Sequence, residues 1–347
     1  MQFATITSPH SDRPNSVTST MLWVIIALLP GTVAMSWYFG WGILIHMVLA
    51  SVVALACEAA VLKLRGRPVR PALGDLSAVV TALLFAIAVP PLLPWWMMLL
   101  GVAFAIIVAK HLYGGIGYNP FNPAMVGYVL LLVSYPVEMT SWLPPSILNE
   151  TPLDFIQTLS VIFGGALPAG LTWDAITMAT PLDQMRTLLN QNMMISEIRQ
   201  SPLWGDFGGR GWEWVGNWYL LGGVILLYKR VISWHIPVAM LGAVLVFAMF
   251  FHVLDQEAHP FGLFHIFSGA TLLGAFFIAT DPVSAATTKR GQLIYGAGIG
   301  ALTYIIRRWG GYPDAVAFAV LLMNMAAPMI DYYTQPRVFG HRSGGDD

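Results

Sequence analysis

The chain has 347 residues, of which 56% are hydrophobic and only 10% are charged, against about 25% charged residues in soluble domains. This composition predicts a membrane protein, and the net charge of −1 excludes a general basic attraction for nucleic acid. The single cysteine, Cys57, excludes an intrachain disulfide and a cysteine metal site.

Long apolar runs follow a polar start. Residues 1–20 lack the apolar core and cleavage site of a secretory signal, so we interpret them as a cytoplasmic leader. The apolar runs predict ten membrane helices, because about 20 apolar residues span a bilayer. The segments expected in chain order after the leader are a first five-helix repeat at 21–137, a long loop at 138–213, a second five-helix repeat at 214–330 and a tail at 331–347.

The basic residues of this chain indicate its orientation. The densest basic cluster, at 63–70, belongs in the cytoplasm by the positive-inside rule. The helix count then places both termini in the cytoplasm and the 138–213 loop outside. Arg307 and Arg308 also fall outside, which is the single violation of the rule.

Turn signals divide the apolar runs into helices. The proline-rich stretch at 90–96 separates helices three and four. The prolines and glycines of 113–127 precede helix five and exclude a regular lipid-facing helix, so we expect this backbone to be buried in protein or to line a cavity. Helices six to ten are predicted at about 214–228, 232–253, 263–280, 292–306 and 315–330.

The sequence contains an internal repeat. Residues 76–91 align with residues 267–282, ending on Pro91 and Pro282. Each repeat then holds five helices. Because five is odd, the two halves enter the membrane from opposite sides, as in channels and transporters with a binding site between the halves.

Two threonines follow an alanine and compete as chemical candidates. Thr180 precedes Pro181 in the long loop, a pattern typical of a helix N-cap with Asp183 at the third helical position. The structural interpretation is that Thr180 only caps this short helix, although a helix N-terminus also suits a phosphate. Thr271 lies in an apolar run, where a threonine normally bonds to its own backbone or packs against a neighbouring helix.

The chain resembles the RnfD family, which supplies the D-type membrane component of the Rnf electron-transport complex. More distantly, it is similar to the B-type component of the sodium-pumping NADH:quinone reductase. The resemblance covers essentially the whole chain. The strings that carry it lie at 113–145, 174–183, 268–291 and 307–324.

That family carries FMN, esterified by a flavin transferase through its phosphate to the last threonine of the pattern Asp-x-x-Ser/Thr-x-Ala-Thr. Asp174, Thr177 and Thr180 fit this pattern, whereas His265 stands where an acid would have to precede Thr271. The resemblance therefore implies covalent FMN on Thr180, in a periplasmic loop. Met178 departs from the glycine that is common at its position.

Other polar residues stand near the ends of the predicted helices. Asn119 and Asn122 either cap broken backbone or bind a polar ring or a cation. The resemblance suggests a second, non-covalent flavin such as riboflavin beside them. Asp281 and Asp314, at opposite ends of the repeat, are ion-pathway candidates, although Asp281 could simply cap helix nine. The histidine spacing predicts no metal site.

The resemblance implies a membrane subunit of a redox-driven ion pump in the bacterial inner membrane. Electrons would pass between ferredoxin- and NAD(H)-linked subunits, coupled to movement of Na⁺ or H⁺. The implied partners are Rnf subunits of the A, B, C, E and G types, the flavin transferase and the lipid bilayer. The chain alone is not expected to turn over. The alternative is a passive channel or solute transporter with an inverted repeat and no cofactor.

Overall fold

The computed structural model describes residues 16–312 and 314–335. Within these ranges all regular secondary structure is helical, and two isolated bridges join Trp142 to Met178 and Trp204 to Gly209. The predicted all-α fold of a polytopic membrane protein is confirmed. Residues 1–15 of the predicted leader and 336–347 of the predicted tail lie outside the described residues.

The first half contains five helical segments, of which the third is broken in two. They are α1 Val17–Phe39, α2 Gly42–Leu64, α3 Val69–Leu73 with α4 Ser77–Ala88, α5 Trp95–His111 and α6 Pro123–Ser134. The first helix therefore begins four residues before the predicted boundary, because Ser16 caps it by accepting a hydrogen bond from the Ser19 amide. The last turns of α5, Phe104–His111, are π-helical.

Short helices fill the long segment between the two halves. They are α7 Pro136–Thr140, α8 Phe155–Gly164, α9 Trp173–Ile176, α10 Pro181–Asn190 and α11 Ile195–Ile198. Two small apolar clusters fold this segment against the bundle. One includes Val161 and Ile176, and the other packs Leu182 and Met185 against Phe264 of the second half.

The second half repeats the plan of the first. Its segments are α12 Trp212–Tyr228, α13 His235–Leu254, α14 Gly262–Phe267 with α15 at 271–278, α16 Lys289–Trp309 and α17 Val316–Thr334. The prediction of one continuous helix at 263–280 was wrong, since the chain breaks at 268–270. Gly269 adopts a φ of +64° there, as Leu76 does at the equivalent break of the first half.

The two halves run in opposite directions. Thr20 at the start of α1 and Leu226 near the end of α12 line one cleft, whereas Met35 late in α1 and Trp212 at the start of α12 line another. α1 is therefore antiparallel to its equivalent α12, and α6 is antiparallel to its equivalent α17 by the same criterion. These pairs pack against each other, an arrangement that the predicted inverted repeat requires.

The outer surface of the bundle is apolar. Among the residues that the structure describes, four helices are long and apolar enough to span a membrane: α1, α2, α13 and α17. Their outward-facing side chains include Val33, Val48 and Val246, each about two-thirds exposed. Inside the bundle, glycines allow close helix approach, because a Cβ at Gly300 of α16 would lie only 2.3 Å from the Met240 carbonyl oxygen of α13.

Candidate functional site

Thr180 stands at the N-terminus of α10. Its backbone is extended, with φ −64° and ψ 158°, and its hydroxyl accepts a hydrogen bond from the Asp183 amide at 3.3 Å. Pro181 occupies the first helical position, where its missing N–H costs nothing. The predicted N-cap is thus confirmed, although among the described residues only this half of the capping box forms.

Backbone and aromatic contacts fix the approach to Thr180. The Met178 amide donates a hydrogen bond of 2.8 Å to the Trp142 carbonyl oxygen. The Trp142 ring packs in turn on Trp212, with 5.0 Å between ring centroids, and on Phe39 at 6.1 Å. The loop is therefore held against helices of both halves, and the position of Thr180 is determined by the bundle.

Thr180 lies on the wall of a cleft between the two halves, on the face of the bundle that carries α7 to α11. We call this face the loop face. The loop-face cleft encloses about 1110 Å³ including its mouth, and α10 supplies Thr180, Leu182 and Asp183 to its lining. Aromatic side chains contribute much of the remaining wall: Tyr128, Trp142, Trp212 and Tyr219.

Asp183 is the charged residue closest in sequence to Thr180. Its side chain lines the loop-face cleft. Burial raises the pKa of the Asp183 carboxyl, and the Arg186 guanidinium offsets part of that rise. An ionised Asp183 is therefore held at some cost beside the helix N-terminus.

Asp174 and Thr177 do not meet Thr180 in the described structure. Asp174 lies in α9 with an exposed side chain. The Thr177 hydroxyl donates a hydrogen bond of 2.8 Å to the Trp173 carbonyl oxygen, within its own turn. Asp174 is thus exposed and Thr177 is partly exposed, and both lie on the loop segment that carries Thr180.

The competing threonine is structural. Thr271 is fully buried at the start of α15. Its hydroxyl donates hydrogen bonds to the carbonyl oxygens of His265 at 2.6 Å and of Ser268 at 3.2 Å. These bonds satisfy backbone left open by the break in the helix, so the structural interpretation of Thr271 is confirmed.

One of the two arginines that violate the positive-inside rule in the predicted orientation, Arg307, has a local explanation. Arg307 is buried and donates to the carbonyl oxygen of His265 at 2.7 Å and to the Asp314 carboxylate at 3.0 Å. Asp314 lines the loop-face cleft beside Gly269. Because its charge is paired inside the bundle, Arg307 does not act as a loop charge that sets orientation.

A second cleft opens on the other side of the bundle. This opposite-face cleft encloses about 830 Å³, and Asn119, Asn122 and Asp281 line it. Asn122 caps α6 by accepting from the Met125 amide at 3.3 Å, which confirms the structural alternative for this residue. The Asn119 amide donates to the Phe121 carbonyl oxygen at 3.0 Å.

A layer of amides separates the two clefts. The Asn122 side chain donates to the Ile278 carbonyl oxygen at 3.3 Å, and the Asn122 backbone donates to the Asn324 side-chain oxygen at 3.1 Å. Asn324 also donates to the Tyr295 hydroxyl at 2.6 Å. Ile278 lines the loop-face cleft while Asn122 lines the opposite-face cleft, so this amide layer is the partition between them.

Asp281 does not cap helix nine. Its carboxylate accepts hydrogen bonds from the Ser284 hydroxyl at 2.7 Å and from the Val283 amide at 3.4 Å, within a turn. The N-cap of α16 is Thr288, which accepts from the Gly291 amide at 2.9 Å. The capping alternative for Asp281 was therefore wrong, because six more residues of turn precede the helix.

The sequence model of the NQR2, RnfD, RnfE family matches residues 4–340. This chain belongs to that family.

Full-length relatives in the NQR2, RnfD, RnfE family are named as the D subunit of an ion-translocating oxidoreductase complex. The chain is 54% identical over 347 residues to the protein of Aeromonas hydrophila, covering 98% of this chain and 99% of that one. It is 52% identical over 348 residues to the protein of Vibrio cholerae, covering 98% and 100%. It is 50% identical over 351 residues to the protein of Aliivibrio salmonicida, covering 99% and 100%.

Met178 stands where the resemblance described above leads us to expect glycine, and the structural effect of this difference is small. Met178 holds the loop through its backbone amide, and its side chain is exposed. A glycine could make the same backbone hydrogen bond. The side chain at this position therefore carries little of the local geometry.

Sequence reasoning missed one buried ionic cluster in this family member. The Lys110 ammonium contacts Glu58 at 2.6 Å and donates to the Ser77 hydroxyl at 2.7 Å, and His111 contacts the same Glu58 oxygen at 3.2 Å. Lys110 and His111 are both buried, although they follow an uncharged apolar run at the end of a helix. The available signal was Glu58, a charged residue directly after an uncharged apolar run.

Proposed function

We propose that this chain is a membrane subunit of a bacterial ion-translocating oxidoreductase complex of the Rnf type, carrying covalent FMN on Thr180. The relatives named as the D subunit of such complexes support the assembly. The observation that carries the cofactor assignment is the position of Thr180, at the N-terminus of a helix and on the wall of the large cleft between the halves.

The residues present fit this cofactor. The N-terminus of α10, a helix of 10 residues, presents amide groups and a favourable dipole to a phosphate esterified on Thr180. The aromatic and aliphatic walls of the cleft suit a planar ring system. When bound, FMN supplies one-electron redox chemistry that amino-acid side chains lack.

The chain's own residues would bind, orient and shield the cofactor. Thr180 fixes its phosphate end, while Trp142 and Trp212 hold the loop on the bundle. The apolar walls exclude water, which strengthens every electrostatic interaction in the cleft. Electron transfer between ferredoxin- and NAD(H)-linked partner subunits, coupled to Na⁺ or H⁺ movement, is the activity to which this geometry would contribute.

A second, non-covalent flavin such as riboflavin is proposed for the opposite-face cleft. Asn119 and Asn122 line this cleft together with Ser77 and Lys110, so part of its wall is polar. Amide and hydroxyl groups of this kind hydrogen-bond the edge of a flavin ring. The two cofactors would then lie on opposite sides of the amide layer.

Asp281 is the stronger ion candidate of the two predicted acids. It lines the opposite-face cleft, and the hydrogen bonds it accepts come from neutral groups. Asp314, in contrast, is paired with Arg307. We propose that Asp281 contributes to ion uptake, which Asp281→Asn would abolish in a vesicle transport assay with the assembled complex.

We further propose that the loop face lies in the periplasm and that both termini are cytoplasmic, in the bacterial inner membrane. A flavin transferase acting from the periplasm would reach Asp174, Thr177 and Thr180, all on the loop segment. Thr271 would be inaccessible to it, because that side chain is fully buried. The other partners are the remaining components of the complex, of the A, B, C, E and G types.

The deciding experiment is flavin fluorescence of the denatured protein on a gel, after co-expression with a flavin transferase. Wild type and Thr271→Val are expected to fluoresce, and Thr180→Val is expected to be dark. Loss of fluorescence only in Thr271→Val would overturn both the site and the topology. A dark wild type would contradict the covalent FMN and favour the channel-like alternative.

A further inference from the structure

Of the described residues that line the loop-face cleft, two are charged, and they lie on different elements. Asp183 belongs to α10 with Thr180, whereas Asp314 precedes α17 on the second half. The remaining lining is uncharged. Asp314 is therefore the charged residue of the second half that faces a flavin attached to Thr180.

Asp314 is held in a fixed position by backbone donors. One carboxylate oxygen accepts from the Ala270 amide at 2.8 Å, at the break between α14 and α15. The other oxygen accepts from the Val316 amide at 3.3 Å, in the first turn of α17. The carboxylate thus ties two elements of the second half together and cannot turn away from the cleft without losing both bonds.

Arg307 is the buried countercharge of Asp314. Its side chain is 2% exposed and that of Asp314 is 25% exposed, so the cation lies behind the anion as seen from the cleft. Arg307 also donates to the carbonyl oxygens of His265 at 2.7 Å and of Ser268 at 3.3 Å. These bonds fix the guanidinium to the same helix break that positions Asp314.

We propose that the Asp314–Arg307 pair sets the redox potential of the flavin held on Thr180, an inference that rests on the proposed function. Reduction adds negative charge, so a fixed anion at the cleft wall opposes it and a fixed cation behind that wall favours it. Apolar walls and rigid hydrogen bonds make such fixed charges effective, because little water or protein motion screens them. Both residues act through their field and transfer no proton or electron themselves.

The two members of the pair predict shifts of opposite sign. Asp314→Asn leaves Arg307 uncompensated and should raise the flavin potential, whereas Arg307→Gln should lower it. We expect each change to alter the oxidised-to-reduced ratio at least tenfold at a given potential, which is about 59 mV for a one-electron couple. Asp314→Glu keeps the charge and should retain most of the wild-type value.

The test is a potentiometric titration of the full-length protein in which flavin absorbance is the readout. Non-covalent flavin is removed before the titration. The matched control is Asp154→Asn, which removes one exposed charge from the loop segment while keeping a good N-cap for α8. Its potential should equal that of wild type. A merely structural role of Asp314 would change protein yield without a shift whose sign follows the charge.

The outcomes separate this inference from the proposed function. Wild-type protein without covalent flavin would overturn both. Covalent flavin in every variant, with Asp314→Asn at the wild-type potential, would overturn the inference alone. If Asp314→Asn does not accumulate, the test uses Arg307→Gln and Asp314→Glu instead. An unchanged or raised flavin potential in Arg307→Gln would contradict the inference.

Discussion

Thr180 has two proposed roles, as a helix cap and as the attachment point of a flavin, and Thr180→Asn separates them. Asparagine caps helices at least as well as threonine does, but it has no hydroxyl to esterify. Thr180→Val is close in shape to threonine and removes both functions. We therefore expect both variants to lose covalent flavin and only the valine variant to weaken α10.

The size of the capping effect follows from the structure. The distance from the Thr180 hydroxyl to the Asp183 amide is 3.3 Å, at the long end for this bond, and the site is only partly buried. The loss in Thr180→Val should therefore be about 1 kcal/mol, in the lower half of the range for N-caps. If the backbone amides of the first turn of α10 exchange their hydrogens by local opening of the helix, this loss of stability should make their hydrogen exchange about five times faster.

Two measurements on the same samples check this prediction. In-gel flavin fluorescence reports attachment, and hydrogen exchange of the 181–190 peptide reports the helix, with Thr271→Val as a control that leaves α10 untouched. Fluorescence that persists in Thr180→Asn would refute the attachment site. Equal exchange in Thr180→Asn and Thr180→Val would refute the capping argument, because only one of them retains an acceptor.

Three further predictions concern packing, buried charge and pH. Gly300→Ala should destabilise the protein by about 1–3 kcal/mol and lower its melting temperature, because the new Cβ would clash with a backbone oxygen. The control is Gly242→Ala, which should be neutral or stabilising because its new Cβ would meet nothing within 4 Å. Glu58→Gln should cost about 3–5 kcal/mol by leaving the Lys110 ammonium uncompensated, and adding Lys110→Met should restore part of that loss in a thermal-shift assay. Burial raises the pKa of Asp183 in the folded state, so its ionised form is penalised at neutral pH, and Asp183→Asn should raise the melting temperature there. The gain in melting temperature should disappear below about pH 4, where the Asp183 carboxyl is protonated in both the folded and the unfolded protein. A gain that persists in acid would contradict the burial argument.

Local sequence rules predicted the features that depend on near neighbours. The cap at Thr180 involves residues three positions apart, and the self-bonding of Thr271 involves His265 and Ser268 just before it. The all-helical fold of a polytopic membrane protein also followed from the long apolar runs. In each case the physical cause lies within one or two turns of chain, or in the length needed to cross a bilayer.

The features that were not predicted depend on distant partners. Glu58 meets Lys110 across 52 positions of sequence, and Arg307 reaches the carbonyl oxygen of His265 across 42. A charge in an apolar run indicates that a partner exists without saying which one. Likewise, the sequence does not show that Gly269 has a positive φ, because this conformation depends on the break in the helix around it.

The amide layer between the two clefts has a consequence for electrical leakage. Asn122 and Asn324 form hydrogen bonds with each other, with the Ile278 carbonyl oxygen and with the Tyr295 hydroxyl. A water molecule that entered the layer would therefore find few free hydrogen-bond partners. A layer without a continuous file of water offers protons and hydrated cations no ready path between the two clefts. The two clefts can therefore open on opposite sides of the bundle without a polar path joining them at this level.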